Sequence, residues 1–184
     1  MAKTKLKKRK RKWFVIKAPD FKNIEVTELL AYEIKDLIGR KIKINYNLIS
    51  ENIRDQKLKI KLVVTETKGS EGIAKPEGFY LQDSFVNQRI KRDRSRGILV
   101  IEEKTKDNKD VKVKFVYSSK NKVPRSINSK ILKQLEDSSR ELIKKTNSSN
   151  FFDLEFIKKE TNKLKENLRK IYPIDKFMIW KLNF

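Results

Sequence analysis

The chain has 184 residues, of which 38% are hydrophobic, and this length and content predict one domain with its own core. Its 46 Lys and Arg against 24 Asp and Glu give a formal net charge of +22. Such an excess of like charges repels itself in a compact fold and indicates a polyanionic partner. The absence of cysteine and histidine excludes disulfides, thiolate chemistry and the usual metal ligand and general base.

The sequence carries neither a secretory signal nor a membrane span. The N-terminus is basic but lacks the apolar stretch of a signal peptide, and no apolar run approaches the roughly 20 residues that cross a bilayer. We therefore expect an intracellular protein. Of the two common polyanions, nucleic acid is favoured over an anionic membrane.

A basic run opens the chain, and we expect residues 1–12 to form an arm that is disordered without its partner, ahead of a single domain at 13–184. Strand-like residues 13–16 follow without a spacer, and Pro19 ends this strand. We expect Trp13 to anchor the core at the base of the arm; the alternative is that its ring stacks on a base. The predicted RNA contacts of the arm are Lys7, Lys8, Arg9, Lys10, Arg11 and Lys12.

The middle of the chain alternates apolar residues with lysine, which is typical of half-buried antiparallel strands with a positive outer face. Before it, Thr27 is expected to cap a short helix that Gly39 ends. After it, the sequence predicts a short helix at 85–90 and a hairpin of strands 98–102 and 111–117. The core positions that the alternation predicts are Ile42, Ile44, Leu58, Ile60, Leu62, Val111, Val113 and Phe115.

The last third changes to a helical period. One helix is expected to begin near Ser126 or Asn128 and to break at 147–150, and a second to end before Pro173. A final strand is predicted at 177–182. Strands followed by helices favour an α+β fold, with an antiparallel sheet that curls towards a barrel and C-terminal helices that cover part of it.

No catalytic constellation is found in the sequence. Glu102 and Glu103 are adjacent on a predicted strand and therefore point to opposite faces. The segment KGSEGIAK lacks the spacing of a phosphate-binding loop. Asp107, Asn108 and Asp110 resemble half of a calcium loop without its glycine and distal glutamate, so we interpret them as a solvated hairpin tip. We expect no enzyme activity, no metal and no cofactor.

Two further basic clusters lie in predicted loops and short helices. Placed beside strands, such cations suit phosphate contacts on folded RNA, and binding through them should be strongly salt-dependent. The second cluster consists of Arg89, Lys91, Arg92, Arg94 and Arg96. The third cluster consists of Lys120, Lys122, Arg125 and Lys130.

Several motifs, in order along the chain, resemble one family of ribosomal proteins. The opening of that family, Trp-Tyr-x-Val-x-Ala-Pro-x-x-Phe, is similar to residues 12–21 (KWFVIKAPDF). Further segments of the family resemble residues 37–49 (LIGRKIKINYNLI), 57–72 (KLKIKLVVTETKGSEG), 92–116 (RDRSRGILVIEEKTKDNKDVKVKFV) and 171–182 (IYPIDKFMIWKL). This is the S3Ae, or eS1, family of archaeal and eukaryotic small-subunit ribosomal proteins.

The resemblance implies a structural protein of the cytoplasmic ribosome. It places the chain on the platform of the small subunit, near the 3′ region of the rRNA and the messenger exit side. The implied partners are small-subunit rRNA, neighbouring platform proteins, and messenger RNA or initiation factors. The main alternative is a basic architectural protein that binds DNA or RNA away from the ribosome. A peripheral membrane protein would instead carry its basic residues on an amphipathic helix with apolar anchors.

Overall fold

The alternating segments form eight strands in the residues that the computed structural model describes, which are 10–21, 23–50, 52–90 and 93–184. The strands are β1 (Lys12–Ala18), β2 (Ile24–Ala31), β3 (Lys41–Asn45), β4 (Leu58–Lys68), β5 (Glu71–Leu81), β6 (Arg96–Lys104), β7 (Asp110–Ser119) and β8 (Ile174–Asn183). The α-helices are α1 (Asn47–Ser50), α2 (Asp83–Arg89), α3 (Arg125–Lys145) and α4 (Leu154–Arg169). Short 3-10 turns lie at Pro19–Phe21, Ile34–Leu37, Ile53–Lys57 and Ser148–Phe152.

β5 lies at the centre of the sheet because it pairs with three other strands: with β4 along one edge, and with β1 and then β8 along the other. Its first residues pair in parallel with β1, its last residues pair antiparallel with β8, and β4 follows its other edge. The strand order is β2-β1-β5-β8-β7-β6, with β3 joined to β4. All other pairs are antiparallel. The predicted α+β fold with an antiparallel sheet and C-terminal helices is confirmed; among the described strands β2, β3 and β6 remain edges, so the curled sheet is not closed.

The change of neighbour on β5 depends on Gly78. A Cβ atom at this position would lie 2.1 Å from the backbone oxygen of Leu182 on β8. Only a residue without a side chain therefore allows the two strands to meet at this point.

The short helix expected from Thr27 is wrong. Residues 24–31 form β2, which pairs with β1 along its whole length from Ala18 opposite Ile24 to Lys12 opposite Ala31. The connection turns at Asn23, whose φ is 57°, a conformation that asparagine tolerates. Non-local hydrogen bonding thus outweighs the local helical pattern. Gly39, with φ at 81°, does end a helical turn, although only the 3-10 turn at Ile34–Leu37.

The core lies between one face of the sheet and the two long helices. All eight positions predicted as core are buried, whereas Lys57, Lys59 and Lys61 are half-buried or exposed on the other side of their strand. Residues of the helices join the same cluster: Ile131, Leu135, Ile143, Leu164 and Leu168. The rings of Phe115 and Phe177 stack within it at 5.9 Å. The sheet therefore has one covered face and one open face.

The tip of the β6–β7 hairpin is tied to the connection between α3 and α4. The backbone N–H of Ser148 donates to Oδ2 of Asp107 at 2.8 Å, and the Ser148 hydroxyl donates to the same oxygen at 3.2 Å. Asp107 thereby holds the helices against the sheet. In the described ranges, no group of three or more His, Cys, Asp or Glu residues could hold a metal ion, and no helix is long and apolar enough to cross a membrane.

Candidate nucleic-acid interface

The predicted basic arm directly precedes β1 in the sequence. Lys7, Lys8 and Arg9 lie outside the described residues. Lys10, Arg11 and Lys12 are exposed, and the guanidinium of Arg11 lies 5.1 Å from the centroid of the Tyr32 ring. Lys12 already pairs with Ala31 as the first residue of β1.

The expectation that Trp13 anchors the core is wrong. Its side chain is 67% exposed, whereas Ile16 and Ala18 are fully buried. Side chains alternate along a strand, so Trp13 points to the face opposite Ile16 and away from the core. Stacking of this indole on a base stays a prediction.

The residues of the second cluster have separate local partners. Arg94 forms an ion pair with Asp175, so it ties its loop to β8. The guanidinium of Arg89 lies 5.1 Å from the ring of Phe85, and that of Arg96 lies 5.4 Å from the ring of Trp180. Lys91 and Arg92 lie outside the described residues.

Hydrogen bonds bring the second and third clusters to the same end of the sheet. The hydroxyl of Ser95 accepts from the N–H of Val123 at 2.8 Å, and its carbonyl accepts from the N–H of Ser119 at 3.0 Å. The loop before β6 and the loop after β7 are therefore joined. The members of the third cluster are all exposed beside this junction: Lys120, Lys122, Arg125 and Lys130.

Tyr117 fixes the beginning of α3 to this junction. Its hydroxyl donates to Oδ1 of Asn128 at 2.5 Å, and burial raises the pKa of Tyr117 to about 12. The phenol therefore stays a neutral donor across the physiological range. It packs against Gly97, next to Arg96, where a Cβ atom would lie 2.2 Å from the ring.

Several cations also lie close together near the C-terminal end of α4. Burial lowers the pKa of Lys165, and the neighbouring Arg169 and Lys176 lower it further. The ammonium of Lys165 donates to the carbonyl of Asp175 at 2.7 Å, next to the ion pair that Asp175 makes with Arg94. A positive field of this kind attracts polyanions.

Sequence reasoning missed a second basic surface, on the open face of the sheet. Lys59, Tyr80, Lys181 and Lys114 lie opposite one another on the neighbouring strands β4, β5, β8 and β7. Directly paired residues point to the same side of a sheet. We define the open basic face as Lys43, Lys59, Tyr80, Lys114, Trp180, Lys181 and Arg96. The lysines in alternating strands predicted a positive outer face, but not which of them lie together.

Other lysines on this side are neutralised within the fold. Glu77 forms ion pairs with Lys61 at 2.6 Å and Lys41 at 2.9 Å. Burial alone would raise the pKa of Glu77, but the hydrogen bonds from Lys61 and Lys41 outweigh it, and the pKa is lowered. Lys112 pairs with Glu102. Within the described residues, no carboxylate is recorded against Lys43, Lys59, Lys114 or Arg96, so these cations remain for an external anion.

The arrangement suits polyanion binding. Four cations of the open basic face, Lys43, Lys59, Lys114 and Arg96, have no carboxylate partner among the described residues, and more cations lie at the joined loops. Exposed lysine and arginine contact phosphate oxygens without reading sequence.

Comparison with known proteins gives one consistent family. The model of the ribosomal S3Ae family matches residues 2–184. A protein of Nanoarchaeum equitans, named small ribosomal subunit protein eS1, is 31% identical over 88% of this chain and 82% of its own length. Proteins of the same name from Methanopyrus kandleri and Methanobrevibacter smithii are 29% and 28% identical. These alignments cover 88% and 98% of this chain, and 79% and 97% of the relatives.

Proposed function

This chain belongs to the ribosomal S3Ae family, and we propose that it is a structural constituent of the small ribosomal subunit that binds rRNA through phosphate contacts. The observation that carries the proposal is the family match over residues 2–184. This family consists of structural ribosomal proteins and not of enzymes, in agreement with a sequence that has no catalytic constellation. Membership also implies the predicted location, the ribosome in the cytoplasm.

The charge distribution supports rRNA as the direct partner. The net charge of +22 remains after every carboxylate is counted, so ion pairs within the fold cannot neutralise it, whereas rRNA supplies a dense array of phosphates. Binding a phosphate releases condensed counterions, which favours association. The joined loops offer Arg96, Lys120, Lys122, Arg125 and Lys130 on one side of the molecule, while Arg94 helps to hold the loop that carries them.

The resemblance of the motifs supports a finer placement. We place the chain on the platform of the small subunit, near the 3′ region of the rRNA and the messenger exit side. Neighbouring platform proteins are its expected protein partners, and messenger RNA or initiation factors are expected nearby. The predicted arm at residues 1–12 would thread between rRNA segments, where phosphates order it.

Sedimentation of a cell extract tests the ribosomal role. The native protein should move with the small subunit at moderate salt, and its absence from those fractions would end the proposal. The architectural alternative is tested by competition. Duplex DNA should displace the protein from small-subunit rRNA poorly, whereas equal affinity for DNA and rRNA would favour the alternative.

The placement has its own test, because the chain contains no cysteine. A cysteine introduced at the exposed Ser126, next to the third cluster, gives one attachment point for an iron chelate that cleaves RNA locally. Assembled subunits should be cut in the 3′ region of the rRNA. The same chelate on an introduced cysteine at Ser70, in the turn between β4 and β5, is the matched control and should give a different pattern. Cuts from Ser126→Cys confined to another rRNA region would refute the placement.

A further inference from the structure

Three cations lie around Trp180 on the open basic face, and their charge is only partly balanced by carboxylates. The ammonium of Lys114 lies 3.8 Å from the ring centroid, and the cationic groups of Arg96 and Lys181 lie 5.4 and 5.5 Å from it. Among the described residues, the one carboxylate recorded against these cations is that of Asp83, 3.6 Å from Lys181. Three cations and one carboxylate leave an excess of positive charge.

The indole explains how these like charges can lie together. The face of an aromatic ring attracts cations, and tryptophan does so most strongly. The ring is itself held in place, since its Nε1–H donates to Oδ1 of Asp83 at 2.7 Å. The cations are therefore gathered before any partner arrives, and an incoming anion relieves their mutual repulsion.

We propose that this surface binds the phosphate backbone of RNA, as a contact separate from the arm and from the third cluster, with Arg96 shared between this surface and the second cluster. The proposal rests on the proposed function, because it names a part of the chain that meets the rRNA. Lys59 and Lys114 lie three strands apart in one cross-strand row, which is about 14 Å at a spacing of about 4.8 Å between strands. The row can therefore follow a length of backbone and not one phosphate alone.

Phosphates are favoured over bases by the position of Lys114. Its ammonium lies 3.8 Å from the Trp180 ring centroid and covers a ring face on which a base would stack. Lysine also acts as a compact point charge, which suits phosphate oxygens better than base edges. Binding at this face should therefore depend little on the nucleotide sequence.

The fluorescence of Trp180 gives a direct assay. The chain has two tryptophans, so the full chain with Trp13→Phe has Trp180 as its single tryptophan. Titration with a short oligouridylate should change this fluorescence, and an oligoadenylate of equal length should bind with similar affinity. Lys114→Gln removes one contact and should lower the salt slope by about 0.7. The affinity ratio between about 50 and about 200 mM salt should then fall by about 2.6-fold.

Two variants control for charge and for folding. Lys114→Arg keeps a cation on the ring and should retain the salt slope of the parent. Lys133→Gln removes an exposed lysine of α3 and changes the net charge equally, so it should bind as the parent does. Circular-dichroism melts verify that each variant is folded at the assay temperature.

The proposal is overturned if folded Lys114→Gln and Arg96→Gln bind oligouridylate with the affinity and salt slope of the parent. It is also overturned if the two oligonucleotides differ more than about tenfold in affinity, because that difference would indicate base recognition. In either case, movement of the parent chain with small subunits would leave the proposed function standing. Absence of the parent from small subunits would instead remove the proposed function itself.

Discussion

Replacement of Gly97 by alanine is expected to overpack the contact between β6 and β7. The new Cβ atom would lie 2.2 Å from Cε1, 2.3 Å from Cζ and 2.6 Å from Oη of Tyr117. Carbon atoms in contact normally lie about 3.5–4.0 Å apart. The ring would therefore have to retreat by more than about 1 Å, or the two strands would have to separate.

Both movements would cost free energy of folding. Tyr117 is only 1% exposed, and its hydroxyl donates to Oδ1 of Asn128 on α3. Overpacking typically costs about 1–3 kcal/mol, and a buried phenol that loses its hydrogen bond costs about 1–3 kcal/mol. We expect Gly97→Ala to lower the free energy of unfolding by about 2–6 kcal/mol, the sum of the two costs. For a chain of this length, that corresponds to a melting temperature about 4–24 °C lower.

Urea denaturation of the parent, Gly97→Ala, Tyr117→Leu and the double variant measures this effect as a double-mutant cycle. Leucine lacks the ring atoms that the new Cβ would meet, so the double variant should be more stable than the sum of the single changes predicts. A stable Gly97→Ala, or additive effects of the two changes, would refute the reasoning.

Three further changes test other parts of the molecule. Trp13→Ala should cost no more than about 2 kcal/mol of stability, against about 3–5 kcal/mol for a buried tryptophan. Base stacking, the alternative to a core anchor, predicts that the same change weakens RNA binding by about 1–3 kcal/mol; paired melts and titrations measure both. Removal of residues 1–11, which stops before β1, should leave the melting temperature unchanged but weaken incorporation into small subunits. The pKa of Glu77 is lowered in the fold, so its carboxylate stabilises the protein above its ordinary pKa of 4.5. This contribution disappears as the pH falls through the lower folded-state pKa. Glu77→Gln should therefore be less stable than the parent near neutral pH and approach the parent's stability in acid, as measured by denaturation curves.

Local patterns were sufficient to predict the core positions and six of the eight described strands, but not β2, which was predicted as a helix, or β5, for which no strand was predicted. The alternation of Ile60 and Leu62 with Lys59 and Lys61 has only one arrangement that buries the apolar side, so the register follows from burial. The same alternation places Trp13 on the face opposite the buried Ile16; the expectation of a core anchor was wrong because it relied on the size of the indole and not on its position along the strand. The helix expected at Thr27 failed because β1 provides a partner strand, which the local sequence does not reveal.

The assembly of the interface depends on contacts between distant residues. The second and third clusters meet through hydrogen bonds that Ser95 accepts from the backbone N–H groups of Ser119 and Val123, and no periodicity predicts these. Trp180 meets Lys114 because the register of β7 with β8 shifts between Lys114 and Phe115, which leaves both Trp180 and Lys181 near one lysine. A shift of this kind comes from the pairing of two strands and not from either strand alone.

Two of the predicted RNA contacts, the arm and the open basic face, differ in how much freedom they should lose on binding. If residues 1–12 form the predicted arm, it would have to be ordered along its whole length, at a cost of roughly 1–2 kcal/mol for each residue's backbone, and counterion release would have to offset that cost. Lys114 and Arg96 are already gathered at the fixed ring of Trp180, so fewer rotamers are lost when a phosphate arrives. The open basic face should therefore contribute more binding free energy per cation, whereas the predicted arm would extend the distance over which the protein contacts RNA. On this prediction, the cations of the sheet and those of the predicted arm would have different tasks in binding RNA.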